Sequence, residues 1–490
     1  MEATGNNERP IRVVIGADTF PPDINGAARF AERLAGGLVR RGHDVHIICP
    51  AFSEKHGTFQ EEHDGAIMTV HRVKSIKLPQ HETLRFIWPF TLKPRTDALL
   101  DRIKPDVVHI QSHMIVGRYL MKSAKQRDIR VIATNHIMPE NLIKYSLIIP
   151  KWLEKWAMKM SWLDAGRILR KADAVTTPTR RAAELLEAAA DIQGVLAISC
   201  GIDASKFANA SPTSNEKPRV LFLGRLDFEK HIHNLLKAVA LLPESLGTVV
   251  ELVGDGGERE NLQQLAKELG IADRVIFAGH ITDAELPLAY ERCTVFAMPS
   301  IAELQSIATM EAMATGRPVI AADAMALPHL VHDGDNGYLF PPDDIEVFAD
   351  RLKRVLTADA AELERLSENS LYLIQSHDIQ RTLTIFEDLY RGEDQVAHQS
   401  DDNLPSYMAP IGRLTESLHQ QMLSIRAAAA SLRDRAEERR ESFNDRIDDV
   451  REEVRERLDD LRGEVVERTK KVNRKVKRTM KRAAKKLKGD

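Results

Sequence analysis

The stretch that decides the fold is residues 299–320, PSIAELQSIATMEAMATGRPVI. Apolar runs at residues 295–297 and 318–321 lie at its two ends. Short apolar runs separated by a helical segment are typical of parallel strands that are buried on both faces. The stretch therefore predicts one strand–helix–strand unit, with Glu303 just before the helix and Glu311 within it.

The spacing of the two glutamates suits one particular kind of ligand. Glu303 and Glu311 are eight residues apart, which the helical rise converts to roughly 12 Å. That is about the length of a sugar joined through a diphosphate to a ribose. The free N–H groups at the start of a helix attract phosphate. The alternative is two solvated glutamates that flank an ordinary helix.

The same alternation of strands and helices extends outward in both directions. We predict strands at residues 11–17, 45–49, 107–111 and 131–134 in a first half, and at 219–223, 249–253, 275–278, 295–297 and 318–321 in a second. Such sheets bind ligands at the carboxyl ends of their strands. The predicted organisation is a first domain at 10–207, a linker at 208–217, a second domain at 218–375, a closing helix at 376–394, a second linker at 395–410, and an amphipathic or coiled helical extension at 411–490.

Composition places the chain among globular proteins. It has 490 residues, 29% of them charged, a net charge of −3 and three cysteines, too few for a disulfide framework. A polar N-terminus and the lack of a long apolar run predict neither a signal peptide nor a membrane-spanning helix. From Arg468 onward, twelve Lys or Arg and one acid give +11, against −14 for the rest. This asymmetry predicts a polyanionic partner for the tail.

Several further segments, in order along the chain, point to one family. They are DTFPPDING at 18–26, RGHDV at 41–45, SCGID at 199–203, GRL at 224–226 followed by Glu229-Lys230, and VGDG at 253–256. Together with the two glutamates of residues 299–320, they resemble the family-4 retaining glycosyltransferases over about residues 11–387. The resemblance implies the α/β GT-B fold, in which two Rossmann-like domains face each other across a cleft, here with a long C-terminal helical extension.

The resemblance also implies roles for residues of the second half. It implies that Glu303 holds hydroxyls of the donor sugar and Glu311 those of the ribose. Arg225 and Lys230 would hold the departing diphosphate, which a guanidinium fork and an ammonium can stabilise electrostatically. Further donor contacts are expected at Gly26, Gly254, Leu304, Gln305 and Ser306.

The expected donor is a UDP- or GDP-hexose that acts as a substrate, with no further cofactor. The sequence shows no D-x-D pair at a strand end and no cluster of metal ligands. It also has no G-x-G-x-x-G motif in its first loop, which argues against a nicotinamide cofactor. We therefore expect no metal in the site.

Histidines of the first half are candidates for contact with sugar and acceptor. The glycosyltransferase family carries a histidine in the loop after the strand predicted here at residues 107–111. His113 is our candidate for that histidine, with His109 second. His136 closes the next strand and matches another family position. A structural histidine at a strand end is the alternative in each case.

The acceptor is predicted to be a membrane lipid. Trp152, Trp156 and Trp162 lie among lysines and apolar residues, a composition that suits a bilayer interface, although a buried helix is the alternative. The Lys- and Arg-rich segment from Thr469 to Lys488, which we call the basic stripe, would lie on the surface of an anionic membrane. A nucleic-acid arm is the less favoured alternative, self-association through the helix is also open, and a solvated tail remains the plain interpretation.

These features predict a hexosyltransferase that acts on diacylglycerol or a glycolipid, at the inner face of the cell membrane in the cytoplasm. The segment Leu304-Gln305-Ser306 resembles a lipid-acting subset of the family. Two alternatives stay open: an enzyme that acts on a soluble sugar or polysaccharide precursor, and a non-catalytic scaffold that binds nucleotide sugars.

Overall fold

The computed structural model describes residues 9–23, 25–77, 85–138, 153–207 and 217–393. All of them belong to one compact unit, residues 1–400. The predicted linker at 395–410, the extension at 411–490 with its basic stripe, Trp152 and nearly all of the 208–217 linker lie outside the described residues. The predicted domain boundaries therefore stay predictions.

The first half is built on a mainly parallel sheet. Its strands pair in the order β10-β9-β8-β7-β1-β2-β4-β3, and a small separate ribbon pairs β5 with β6. The strands are β1 Arg12–Gly16, β2 Asp44–Pro50, β3 Gly57–His63, β4 Ala66–Val73, β5 Ile76–Lys77, β6 Arg85–Phe86, β7 Val107–Ile110, β8 Arg130–Thr134, β9 Ala174–Thr177 and β10 Leu196–Ala197.

Helices cover both faces of this sheet because alternate strand residues point to opposite sides. Val13 and Ile15 pack in one apolar cluster, while Val14 belongs to the other. The helices of this half are α1 Gly26–Arg40, α2 Pro89–Ile103, α3 Ile115–Lys125, α4 Glu154–Leu169 and α5 Arg180–Ala190.

The second half repeats the plan with a parallel sheet ordered β13-β12-β11-β14-β15-β16. Its strands are β11 Arg219–Leu223, β12 Val249–Val253, β13 Val275–Gly279, β14 Val295–Met298, β15 Val319–Ala322 and β16 Gly337–Phe340. Its helices are α6 Ile232–Ala240, α7 Arg259–Glu268, α8 Leu286–Glu291, α9 Ile307–Ala314, α10 Leu327–Leu330, α11 Ile345–Leu356 and α12 Ala360–Ile374, and the chain then forms α13 Ile379–Arg391. Short 3-10 turns occur at Ala204–Phe207, Phe228–Lys230, Glu244–Leu246, Ala272–Arg274 and Gln375–His377.

Helix α13 returns to the first half and packs there. The Tyr390 hydroxyl lies 2.8 Å from His109 Nδ1, and Arg41 of the first half donates to Glu387 at 2.5 Å. A Cβ on Gly37 of α1 would lie 2.6 Å from a methyl group of Leu383. The helix therefore needs a glycine beneath it to seat this closely, and it ties the end of the second half to the first.

One pair of strands lies outside the predicted pattern. Strands β3 and β4 are not among the predicted strands, and they pair in the antiparallel sense. This hairpin lies at the edge of the sheet, where β3 residues are half-exposed or exposed. An edge strand lacks the continuous apolar run by which a buried parallel strand is recognised.

Candidate functional site

The loop after β1 and the loop after β14 bring two helix N-termini together. Asn25 caps α1 by accepting a hydrogen bond from the Ala28 N–H at 2.9 Å. Ser306 caps α9 in the same way through Thr309. An added Cβ on Gly26 would lie only 4.0 Å from Ile307 Cδ1. Because both helices direct N–H groups and positive dipole ends here, this end of the cleft favours an anion.

The two cations predicted in the second half are held by carboxylates of the same half. Lys230 Nζ lies 2.5 Å from Glu303 Oε1, and both side chains are largely buried. Arg225 pairs with Asp227 and, at 3.0 Å, with Glu229. A polyanion can replace a carboxylate as the partner of an ammonium or guanidinium group. The pairs thus fix the orientation of both cations.

Glu311 connects the two halves of the cleft. Its Oε1 accepts from Arg33 Nη2 of α1 at 2.7 Å, and its Oε2 accepts from the Tyr290 hydroxyl at 3.1 Å. Burial, with Glu311 nearby, raises the pKa of Tyr290 well above its usual value, so the hydroxyl stays a donor. Arg33 Nη1 is buried without a hydrogen-bond partner among the described residues. This corner therefore combines a fixed carboxylate with an unused N–H donor.

Close packing of two turns places Arg225. Gly254 has φ +126°, and a Cβ there would lie 2.0 Å from the Gly224 carbonyl oxygen. Leu226 N donates to the Asp255 carbonyl at 2.9 Å across the same contact. Only glycine combines that backbone angle with that approach, so Gly254 supports the turn that carries Arg225.

The segment after Glu303 has structural partners in the first half. Gln305 accepts from the Cys200 N–H at 2.7 Å and donates to Ser199 Oγ at 3.0 Å. The Leu304 carbonyl accepts from Thr179 Oγ1 at 3.0 Å. Both the Gln305 side chain and the Leu304 carbonyl thus hold the halves together, and their predicted donor contacts stay predictions.

His113 occupies a loop that a buried carboxylate organises. Asp18 accepts hydrogen bonds from Ser112 Oγ and from Val116 N at the start of α3. Burial raises the pKa of Asp18. A Cβ on Gly117 would lie 1.8 Å from the Ser112 carbonyl oxygen, so this loop also needs a glycine against it.

His113 itself is a buried, neutral hydrogen-bonding group. Burial lowers its pKa to about 4. Its Nδ1 is buried and forms no hydrogen bond of normal geometry with the described residues, and the Asn135 side chain is the polar group beside the ring. A neutral imidazole with a free nitrogen suits a hydroxyl group better than it suits a phosphate.

The other two histidines have structural partners. His109 is fully buried, with Nδ1 against Tyr390 and Nε2 at 2.7 Å from Thr134 Oγ1. Both ring nitrogens are thus used, and we assign it to packing beneath α13 rather than to acceptor contact. His136 Nε2 lies 3.0 Å from Gln111 Oε1, and burial lowers its pKa to about 4. Its predicted acceptor role stays a prediction.

The tryptophans of the predicted interfacial segment lie in different surroundings. Trp162 is only 5% exposed and belongs to an apolar cluster with Ala165 and Leu169 of the same helix face. Its predicted membrane contact is therefore wrong, because the side chain packs in the core. Trp156 is 62% exposed on α4.

Sequence reasoning missed the partners that orient the site. Arg33 and Glu311 are 278 positions apart, so no local pattern could pair them. Asp18 is in a segment that carries the family resemblance, but nothing in that segment shows its contact with residues 112–116. Tyr290 is likewise ordinary in sequence, and only the fold places its hydroxyl against Glu311.

The described residues contain no group of three or more His, Cys, Asp or Glu side chains placed to hold a metal ion. Of the helices described, none combines the length and apolarity needed to cross a membrane.

Comparisons with known proteins match both halves of the chain. The sequence pattern described as Glycosyltransferase Family 4 matches residues 24–206, and that described as Glycosyl transferases group 1 matches residues 203–371. A GDP-mannose-dependent alpha-mannosyltransferase of Mycolicibacterium smegmatis is 30% identical over 348 residues, which are 69% of this chain and 86% of that protein.

Two further similarities extend the comparison. An alpha-monoglucosyldiacylglycerol synthase of Streptococcus pneumoniae is 26% identical over 344 residues, which are 67% of this chain and 75% of that protein. A solved sucrose-phosphate synthase from Thermosynechococcus elongatus superposes with a TM-score of 0.65 at 22% identity, covering 78% of this chain and 98% of that one. This likeness confirms the GT-B arrangement of two Rossmann-like halves.

Proposed function

This chain belongs to the group 1 and family 4 glycosyltransferases and transfers a hexose from a nucleotide sugar, and from that premise we propose that its acceptor is a membrane lipid. The acceptor class is a diacylglycerol or a related glycolipid. The donor is a UDP- or GDP-hexose, and the bond formed retains the configuration at the anomeric carbon.

One observation carries the donor part of the proposal. Lys230 and Glu303 are in direct contact, and α9, which starts four residues after Glu303, bears Glu311. We propose that four charged groups line the donor site: Arg225 and Lys230 for the diphosphate, Glu303 for the sugar and Glu311 for the ribose. The paired N-termini of α1 and α9 add N–H donors to the phosphate end.

The chain's own groups suggest how the reaction proceeds. The diphosphate takes Lys230 and Arg225 from their carboxylates, which frees Glu303 to accept hydroxyls of the hexose. As the bond between the anomeric carbon and the phosphate oxygen breaks, both cations stabilise the growing charge. The acceptor hydroxyl forms the new bond on the same face and gives its proton to the departing phosphate oxygen.

Neutral His113 has the complementary task in this scheme. Because its pKa is about 4, His113 carries no charge at pH 7. It therefore does not attract the diphosphate away from Arg225 and Lys230. Its unpartnered Nδ1 is available for a hydroxyl of the sugar or the acceptor. We therefore place it as a hydrogen-bonding group beside the reacting carbon.

Two observations favour a lipid acceptor over a soluble sugar. The segment Leu304-Gln305-Ser306 resembles the lipid-acting subset of the family. The name of the streptococcal relative specifies a glucosylated diacylglycerol. The basic stripe from Thr469 to Lys488 adds a means of peripheral attachment at the inner face of the cell membrane, through attraction to anionic lipid.

The test is transfer from labelled donors to defined acceptors. Full-length protein is incubated with UDP- and GDP-hexoses and with either diacylglycerol vesicles or soluble oligosaccharides. We expect product only with lipid, and with one nucleobase preferred. Glu303→Gln should abolish transfer, whereas Glu364→Gln, at an exposed position of α12, should not. Transfer to oligosaccharide alone would favour a soluble acceptor, and donor binding without any turnover would favour a scaffold.

The tail is tested separately. Deleting residues 469–490 should reduce both sedimentation with anionic vesicles and transfer to vesicle lipid. Unchanged partition and activity would remove the tail from the proposal and leave the donor site as argued.

A further inference from the structure

Several large apolar side chains of the first half are exposed. Phe90 is 73% exposed, Ile76 53% and Trp88 51%. Ile76 lies directly opposite Phe86 in the β5–β6 ribbon, the Phe86 and Trp88 rings are 5.1 Å apart, and the Trp88 and Phe90 rings 5.7 Å apart. We call Ile76, Phe86, Trp88 and Phe90 the aromatic patch, a continuous apolar surface.

Local structure does not account for the aromatic patch. Other apolar residues of α2, among them Leu92 and Leu100, are buried in the core. Trp88 occupies the N-cap of α2 and makes no capping hydrogen bond, at a position where Ser, Thr, Asp or Asn would stabilise the helix. Contiguous exposed apolar surface of this kind marks a contact site.

Cations accompany the aromatic patch. Lys77 lies opposite Arg85 in the ribbon, and the Arg85 guanidinium lies 4.6 Å from the centre of the exposed Phe52 ring. Among the described residues neither cation forms a salt bridge. Lys74, one residue beyond β4, is also exposed. Aromatic rings with long cationic side chains beside them are typical of a bilayer interface, where the rings enter the headgroup layer and the cations meet lipid phosphates.

The position of the aromatic patch relates it to the candidate site. Strands β2 and β4 end at Pro50 and Val73, and Phe52 and Ile76 follow within three residues. These strands are parallel to β1 and β7 in the same sheet, so all four end at one edge. The loops that carry Gly26 and His113 follow β1 and β7 at that edge. A surface held against the aromatic patch therefore faces the acceptor side of the cleft.

We propose that the aromatic patch inserts into the interfacial layer of an anionic bilayer and thereby presents the cleft to its lipid acceptor. The role given to the aromatic patch rests on the proposed function, because only a lipid acceptor requires the cleft to face a membrane. It uses no residue of the donor site or of the basic tail. Lys74, Lys77 and Arg85 supply the charge complementarity that selects a lipid surface over a neutral protein partner.

A local probe tests insertion in the full-length protein. Cys49, Cys200 and Cys293 are buried, and burial raises the pKa of each thiol to about 12, so an introduced surface cysteine can be labelled selectively. An environment-sensitive fluorophore is attached in Phe90→Cys. The matched control is Tyr372→Cys, whose side chain is 66% exposed on α12.

The expected result is specific to one site. With vesicles of phosphatidylglycerol and phosphatidylcholine, emission from the label at 90 should shift to the blue, and spin-labelled lipid should quench it. The label at 372 should do neither, even if the tail binds the same vesicles. Equal responses at both sites would overturn the proposal. So would a blue shift at 90 that appears without vesicles as protein concentration rises, because a second copy would then cover the patch.

A double variant separates this inference from the proposed function. Trp88→Ser with Phe90→Ser should lower transfer to vesicle lipid by at least about tenfold, since each buried aromatic contributes that much to partition. Hydrolysis of the donor in the absence of acceptor should stay unchanged. Insertion at 90 without any lipid transfer would reject the lipid acceptor but keep the patch. Lipid transfer without insertion, or a double variant that transfers normally, would reject the patch.

Discussion

The carboxyl edges of the two sheets carry different chemistry. In the second half, Arg225, Lys230 and Glu303 are charged groups in contact with opposite charges. In the first half, His113 and His136 are neutral, because burial lowers the pKa of each to about 4. The second half thus offers charged groups at this edge, and the first half offers uncharged hydrogen-bonding groups.

This difference separates two tasks that would otherwise interfere. A cationic histidine beside the sugar would attract the departing phosphate, whereas a neutral one contacts hydroxyls without competing for it. The exceptions are Arg29 and Arg33 of α1, which pair with Asp283 and Glu311 of the second half. The following variants test whether the separation matters, in order of expected effect.

Lys230→Met removes one of the two cations that we assign to the diphosphate in the second half. We expect the rate of hexose transfer to fall by about a hundredfold to a thousandfold, the usual cost of losing one group that stabilises transition-state charge. Radiolabelled transfer at saturating donor measures it. Lys237→Met, at an exposed position of α6, is the control and should retain full activity. A Lys230 variant with near-normal turnover would mean that the departing charge is stabilised elsewhere.

Arg33→Met tests the more buried of the two cations of α1 that pair with carboxylates of the second half. Both side chains of the pair are largely buried, and removal of one partner leaves Glu311 uncompensated, at a cost of about 3 kcal/mol in the free energy of unfolding. The control is Arg29→Met, one turn earlier on α1, whose partner in the second half, Asp283, is mostly exposed and whose second partner is Glu32 of the same helix. Losing an exposed pair costs at most about 1 kcal/mol. Equal losses in denaturant titrations would show that burial of the Arg33 pair is unimportant.

Gly254→Ala tests the turn that supports Arg225. A methyl group there would meet the Gly224 carbonyl oxygen at 2.0 Å, so we expect about 2 kcal/mol of destabilisation and weaker donor binding. Gly270→Ala is a matched control, since Gly270 has φ +67° but open space around it. It should cost only about 1 kcal/mol. Similar effects of the two substitutions on donor binding would remove the turn from the site.

The neutral His113 of the first half predicts how the stability of the protein depends on pH. The folded pKa of His113, about 4, lies below its unfolded value of about 6.5, so the unfolded chain binds more protons between these values. The stability that the neutral ring contributes is complete above pH 6.5 and is lost as pH falls toward 4. By pH 5.5 the loss should be about 1 kcal/mol.

Denaturant titrations at pH 7.5 and 5.5 measure this effect. His113→Gln should show a smaller loss of stability than the parent chain over that interval. An identical loss in the two proteins would mean that His113 is not held neutral. Activity should likewise show no titration of His113 near pH 6.5.

The sequence was most informative where burial imposes a simple pattern. The strands predicted at 219–223 and 249–253 coincide with β11 and β12, because a strand buried on both faces must be apolar throughout. The helix between Glu303 and Glu311 was predicted as well, and Ser306 caps its start. In these regions local composition reflects the fold directly.

It was least informative where a residue's partner lies far along the chain. The contact between His109 and Tyr390 joins positions 281 residues apart, and only the return of α13 creates it. Trp162 shares its helix with lysines and was assigned to a membrane surface, yet its own face of α4 packs into the core. The face a side chain occupies depends on the neighbouring helix, which its own segment does not encode.

The most direct test of the donor site is a crystal structure of the full chain with a bound UDP- or GDP-hexose. We predict that the diphosphate lies within hydrogen-bond distance of Arg225, Lys230 and the N-terminus of α9, with the hexose on Glu303 and the ribose on Glu311. A nucleotide bound away from these four side chains, with the Lys230–Glu303 and Arg33–Glu311 pairs undisturbed, would contradict it.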